Sequence, residues 1–222
     1  MEAVPGEGEL TPETRRGTAA ELHALDPHGT SAEAWWLGVE RPALVLGSTQ
    51  TTAAIDVAAC AAAGVDVVHR RSGGGAVLMI PDEILWLDVV LPRHDARWDD
   101  DVGRSMWWLG EAWSTALRAL GVDDVEVHSV APTHTRWSRL VCFDGLGAGE
   151  VTVGGRKAVG ISQRRTRDRA RLQSALHVAW SPELMVSLLG HPRPAPDDLA
   201  DVWELPPDVD AAAVRAAVAA AL

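Results

Sequence analysis

The chain reads as an α+β protein. Three observations predict this class. Short apolar runs bounded by glycine and proline recur along most of the sequence, as strands do. A few longer segments carry apolar residues at helical spacing. The two kinds mix without strict strand–helix alternation, which disfavours a doubly wound parallel sheet. The chain has 222 residues, 47% of them hydrophobic and 23% charged. That is ordinary for a globular chain and ample for a real core.

The elements follow in order. Residues 1–10, "MEAVPGEGEL", are acidic and broken by proline and glycine, and read as a disordered tail that is not a signal peptide. Residues 11–222 are expected to form one domain. Thr11 as N-cap, Pro12 behind it and the Asp26-Pro27 stop predict a helix over 11–25. "ALVLG" (43–47) and "VDVVH" (65–69) are predicted strands around an alanine-rich helix, 51–64, with Gly64 as its C-cap. "AVLMI" and residues 84–91 follow as strands, turning at Pro81-Asp82. Met106, Leu109, Trp113, Leu117 and Leu120 mark a helix over 102–120, closed by Gly121. Residues 125–130 read as a strand and 139–143 as an extended segment. Residues 151–163 read as a hairpin about Gly154-Gly155, and 172–180 as a further strand. Helices near 182–189 and 210–221 end the chain.

Composition excludes some functions. The net charge of -11 argues against nucleic-acid binding. No apolar run approaches the roughly 20 residues that span a bilayer. Two cysteines, Cys60 and Cys142, suit a reducing compartment, and a cytoplasmic location is expected. His128, His134 and His177 lack metal-ligand spacing, so no metal site is expected. Of ten Trp, pairs such as Trp35-Trp36 and Trp107-Trp108 cannot both point inward from one helical face.

Two stretches carry the chemistry. In "RRSGGGAV", a strand ends in Arg70, Arg71 and Ser72 and runs into Gly73, Gly74, Gly75 and Ala76. Glycines let a backbone lie against a ligand, successive amides can hold an anion, and guanidinium groups add a fork for phosphate or carboxylate. The other reading is a flexible surface hairpin. In "GGRKAVGISQRR", Lys157 is the only lysine of the chain. A compact ammonium with three donors suits a carbonyl or phosphate oxygen; a solvated strand-end charge is the alternative.

These paired stretches resemble the biotin/lipoate protein ligase catalytic-domain family, in its lipoate–protein ligase and octanoyltransferase branch. The family motifs fall on Arg70, Ser72, Gly73, Gly74, Gly75, Ala76 and Val77, and on Lys157, Gly160 and Gln163. Ile161-Ser162 stands where the family has Ser-Ala, and Leu78-Met79-Ile80 where it has His-Asp. The resemblance covers about residues 40–190 and implies that 11–222 is a single catalytic domain with no accessory C-terminal domain. It implies a mixed, largely antiparallel sheet with flanking helices, like class II aminoacyl-tRNA synthetases. The glycine loop would hold an acyl chain and any adenylate, with Ser162 and Gln163 beside it. Lys157 would contact the acyl carbonyl and phosphate oxygens. The acceptor would be a lysine of an acidic lipoyl carrier domain.

Cys142, in "VCFDG", lies 157 − 142 = 15 residues before the lysine. The resemblance matches it to the acyl-accepting thiol of cysteine-dependent octanoyltransferases; otherwise it is a buried packing residue. Cys60 reads as core. "RRTRDRAR" (164–171) places five arginines in eight residues: a solvated loop, a lid over a nucleotide phosphate, or a docking patch for an acidic carrier. Three functions stay open. The first is a ligase activating lipoate or octanoate with ATP and Mg²⁺. The second is a transferase passing the acyl group through Cys142 from an acyl carrier protein, with no cofactor. The third is a non-catalytic relative that binds an acyl group or cofactor. The ligase is the leading expectation.

Overall fold

The computed structural model describes residues 10–27 and 29–222. It confirms the α+β class, with a largely antiparallel main sheet. Among the described residues, ten strands form two sheets. β1 (Glu13–Gly17), β2 (Glu33–Val39), β6 (Ile84–Pro92), β7 (Val125–Val127), β8 (Val151–Val153), β9 (Arg156–Arg165) and β10 (Arg169–His177) make a seven-stranded sheet in the order β1-β2-β6-β10-β9-β8-β7. Only the β1–β2 pair in it is parallel. β3 (Ala43–Leu46), β4 (Asp66–His69) and β5 (Val77–Met79) make a smaller sheet, with β3 central.

Helices α3 (Trp107–Ala119) and α5 (Ala211–Ala221) cover one face of the large sheet. Leu85, Leu87, Val89, Leu172 and Leu176 meet Trp113, Leu117 and Val218 there. The opposite face carries Trp35, Leu37, Trp86 and Val90 toward Val45, Val68 and Met79 of the small sheet. α2 (Val57–Ala62) and α4 (Pro182–Ser187) close the far side of the small sheet around Cys60, Leu78 and Met185.

Some expectations need correction. The helix expected over 11–25 is strand β1 followed by the short helix α1 (Ala19–Ala24). Thr18, not Thr11, is the N-cap, because its hydroxyl accepts from the Glu21 amide while the Glu21 carboxylate accepts from the Thr18 amide. Tertiary pairing with β2 decides the preceding residues. The single helix expected over 51–64 is a 3₁₀ turn, Thr52–Ala54, and then α2, which Asp56 caps. Strand β2 was not predicted. Its two-residue period sends Trp35 and Trp36 to opposite faces, so both are buried, in different cores.

The hairpin at Gly154-Gly155 forms as expected, with φ of 56° and 74°. The arginine-rich stretch is not a loop. It is the end of the β9–β10 hairpin, with only residues 166–168 turning. Residues 1–9 of the expected disordered tail lie outside the described residues, and Leu10 is buried in the core under α3 and α5. No helix among the described residues is long and apolar enough to cross a membrane.

Candidate active site

The glycine loop connects β4 to β5, and its partner is the turn that carries Cys142. That turn, Cys142–Asp144, is 3₁₀ helical rather than extended. The Ala76 amide donates to the Leu140 carbonyl (2.8 Å), and the Cys142 amide donates to the Ala76 carbonyl (3.0 Å). A Cβ on Gly75 would fall 2.7 Å from the Cys142 nitrogen. Gly74 has φ +99°, and a Cβ there would lie 2.9 Å from Arg70 Nη2 and 3.4 Å from Cys142 Sγ. So Gly75 is required because the Cys142 turn presses against it, and Gly74 because its positive φ disfavours any side chain. Gly73 alone faces open space.

Arg70 is buried, and its guanidinium donates to the carbonyls of Val45 (3.1 Å), Gly73 (2.7 Å) and Gly75 (2.8 Å). It braces the loop from within rather than reaching out as a free fork, which corrects the sequence expectation. The Cys142 sulfur is close to the same guanidinium, since a Cβ on Gly74 would touch both. Burial lowers the Arg70 pKa, while the Cys142 thiol and the Glu150 carboxylate act to raise it.

A small cavity of about 40 Å³ opens beside Cys142, between the two sheets. Val45, Val77, Met79 and Trp86 give it an apolar wall, and Gly160 and Ala175 form its floor on β9 and β10. Arg70, Ser162 and His23 also line it. The structure thus brings Arg70, Cys142, Gly160 and Ser162 to one cavity.

Lys157 is near but does not line that cavity. Its ammonium donates to the carbonyls of Cys142 and Gly145, both at 2.9 Å, and pairs with Glu150 at 2.6 Å. Both side chains of that pair are 4% exposed. The Glu150 carboxylate also accepts from the Gly147 and Ile161 amides. Lys157 therefore pins the carbonyl of the very residue whose thiol faces the cavity. Gln163 needs a larger correction. It lies one residue out of phase with Ser162, on the other face of β9, where its amide donates to Ser105. Ser72 is buried, donates to Gln173 Oε1 (2.8 Å) and accepts from Ser162 (3.0 Å).

Gln173 is the residue that sequence reading missed most clearly. Its Nε2 donates to Asp88 (3.1 Å) and contacts His23 Nδ1 at 3.3 Å. Asp88 is fully buried, paired to Arg171 at 2.6 Å and hydrogen-bonded by Trp86. Burial pushes its carboxyl up, and Arg171 opposes that. Burial, with Arg171 and Arg70 nearby, pushes His23 down to about 3, so it is neutral. No local motif announces this network; only the pairing of β10 with β6 assembles it. Cys60 is buried core, as expected, and both cysteines are free thiols.

Beyond Gln173 and His23 the cavity gives way to a groove of about 380 Å³, lined by Arg71, Arg164, Arg169 and Arg171 together with Asp26 and Asp168. Among the described residues no group of three or more His, Cys, Asp or Glu is placed to hold a metal ion.

Comparison with known proteins places this arrangement. Residues 17–222 match the family model described as the lipoyl protein ligase A/B catalytic domain. The octanoyltransferase LipM of Kyrpidia tusciae is 30% identical over 162 residues, covering 70% of this chain and 57% of that protein. The chain thus spans less than two thirds of the length of that curated relative. A lipoate-protein ligase A solved with ATP superposes with a TM-score of 0.71 at 20% identity, covering 96% of this chain and 82% of the other. A bipartite lipoate protein ligase of Thermoplasma acidophilum, studied with its E2 lipoyl domain, gives 0.69 at 17% identity, covering 95% and 82%. These likenesses establish the fold.

Proposed function

The chain belongs to the lipoyl protein ligase A/B catalytic-domain family, and from that premise we propose that residues 11–222 form one catalytic unit that transfers an octanoyl or lipoyl group through a Cys142 thioester. The carrying observation is the position of the sulfur. Cys142 Sγ stands at the wall of an apolar cavity, close to a buried guanidinium, with its main chain held on both sides. The similarity to an octanoyltransferase supports the same reading.

The chemistry then runs in two balanced steps. The Cys142 sulfur attacks the carbonyl carbon of a carrier thioester; a C–S bond to Cys142 forms, the C–S bond to the carrier breaks, and the carrier thiol leaves with the proton that Cys142 gave up. A lysine amine of a lipoyl carrier domain then attacks the acyl-enzyme. The C–N bond forms, the C–S bond to Cys142 breaks, and the proton lost by the amine returns the sulfur to a thiol. Arg70 is the cation beside the sulfur when charge develops on it. Lys157 fixes the attack geometry by holding the Cys142 carbonyl. The proposed donor is an acyl carrier protein, and two free thiols suit a reducing cytoplasm.

A second reading, activation of lipoate or octanoate by ATP and Mg²⁺, has the shared fold with a ligase bound to ATP in its favour. It requires Lys157 to exchange the Cys142 and Gly145 carbonyls for the ligand. Intact-protein mass spectrometry separates the two. Incubation with octanoyl carrier protein, without ATP, is expected to add an octanoyl mass that hydroxylamine removes and that Cys142→Ala abolishes. Octanoate-dependent pyrophosphate exchange with no such adduct would establish the ligase, and neither product would mark a binding relative.

A further inference from the structure

The arginine groove is continuous with the acyl cavity along one face of β9 and β10. Successive registered pairs on that face are Gly160 with Ala175, Ser162 with Gln173, and Arg164 with Arg171. The surface changes along this track from apolar to neutral polar to cationic. Arg71 enters the cationic end from the glycine loop. Four guanidinium groups face two carboxylates there, Asp26 and Asp168.

The four arginines are not equivalent. Arg171 is committed to Asp88 and to the Leu22 and Leu25 carbonyls, and Arg169 to the Pro27 carbonyl. Arg71 and Arg164 make no hydrogen bond or ion pair among the described residues. At the inner end, His23 adds an unpartnered buried donor. Gln173 presents an N–H to His23 Nδ1, which leaves the proton on Nε2, and that atom has no partner among the described residues.

We propose that Arg71 and Arg164 form an anion subsite for a phosphate on the thiol arm of the acyl donor, an arm of the phosphopantetheine kind. This rests on the Cys142 thioester reading. Distance selects the ligand. The Phe143 ring packs over Gly160, so Gly160 marks the Cys142 end of the track. A strand rise of about 3.3 Å per residue puts Arg164 roughly 13 Å farther along. In an acyl-adenylate only one oxygen separates phosphorus from the acyl carbon, so its phosphate would stop well short of the groove. A phosphate held at Arg164 calls for a flexible spacer on the order of ten bonds between it and the sulfur. Two uncommitted guanidinium groups suit a phosphodiester, which each can contact with paired N–H donors.

The test compares octanoyl-4′-phosphopantetheine with octanoyl-pantetheine, which differ only by the phosphate, as acyl donors to Cys142. Intact-mass time courses on the full chain give kcat/KM for each. The expected preference for the phosphorylated donor is about 10- to 100-fold, the size of a charge-assisted pair of hydrogen bonds. Arg71→Ala with Arg164→Ala should reduce that ratio to about one. Arg71→Lys with Arg164→Lys, which keeps both charges, should hold it above one and guards against a folding artefact. Equal rates for both donors in the natural chain, or a preference that survives the double alanine variant, overturn the subsite and leave the thioester reading standing. Loss of octanoate-dependent pyrophosphate exchange in the double alanine variant would make the groove a nucleotide site and also overturn it. Failure of both donors to acylate Cys142 overturns the subsite together with the thioester reading.

Discussion

The two faces of the seven-stranded sheet are built from the same strands and do opposite things. On β6, Leu85, Leu87 and Val89 point under α3 and α5, while Trp86, Asp88 and Val90 point toward the small sheet. On β10, Leu172 and Leu176 join the first set, and Arg171, Gln173 and Ala175 join the second. The helical face is almost wholly apolar; Trp113 Nε1 there donates to Ser174 (3.0 Å), while Ser114 Oγ on α3 is buried with no partner among the described residues. The other face buries Asp88, Gln173 and Ser72 in one connected set of hydrogen bonds, with Arg70 buried nearby, and leaves a cavity beside them. Strand periodicity makes this division of labour possible, since a substitution on one face leaves the other in place. One face can be optimised for stability while the other carries polar groups that a packed core would reject.

Variants on each face should therefore separate stability from activity. The largest effect on folding is expected at Lys157. Lys157→Met leaves the Glu150 carboxylate buried without its counter-ion and should cost about 3–5 kcal/mol in urea unfolding. Pairing it with Glu150→Leu should recover much of that stability while Cys142 acylation stays low, because the pin on the Cys142 carbonyl is gone. Full recovery of acylation would show that Lys157 acts on stability alone. On the helical face, Leu117→Ala should cost about 2–5 kcal/mol by leaving a cavity in the core. Its rate of Cys142 acylation, measured where the variant is folded, should match the natural chain. A large drop in that rate would break the separation of faces.

Gly75→Ala sharpens the comparison from the other side. The new Cβ meets the Cys142 nitrogen at 2.7 Å, so the turn must move. Stability should fall by about 1–3 kcal/mol, an overpacking cost. Acylation should slow by about 100-fold, the scale expected when a reacting group shifts by an ångström. An unchanged rate would show that the sulfur position is set elsewhere.

The smallest effect is a pH dependence. His23 and His177 are each pushed down to about 3, chiefly by burial, against an unfolded value of about 6.5. Between those values the unfolded chain binds more protons than the folded one. Stability should fall as pH drops from about 6.5 toward 3. Urea midpoints at pH 7 and pH 5 measure it, and His177→Gln should flatten the slope. An equal slope in that variant would remove His177 from the account.

The sequence by itself determined what short-range physics can write. The Gly154-Gly155 hairpin, the helix around Leu109, Trp113 and Leu117, and most strands follow from turn chemistry and apolar spacing. The Thr18-x-x-Glu21 capping box was also there to be read, and it marks where α1 starts. Arg70, Gly160 and Ser162 were picked from two motifs and Cys142 from a third stretch, and all four share one cavity. The tertiary structure alone decided what those groups are free to do. Residue type names a donor, but its partner is set by what folds against it, from 101 positions away for Ser72 and Gln173 and 150 for Gln173 and His23. Thus Arg70 braces its own loop, Lys157 finds Glu150, and Gln163 falls on the far face of β9 by a single step of register. The arginines of this stretch gained a direction only when β9 and β10 paired. Long-range pairing, not composition, turned a charged stretch into one end of a track that begins at the thiol.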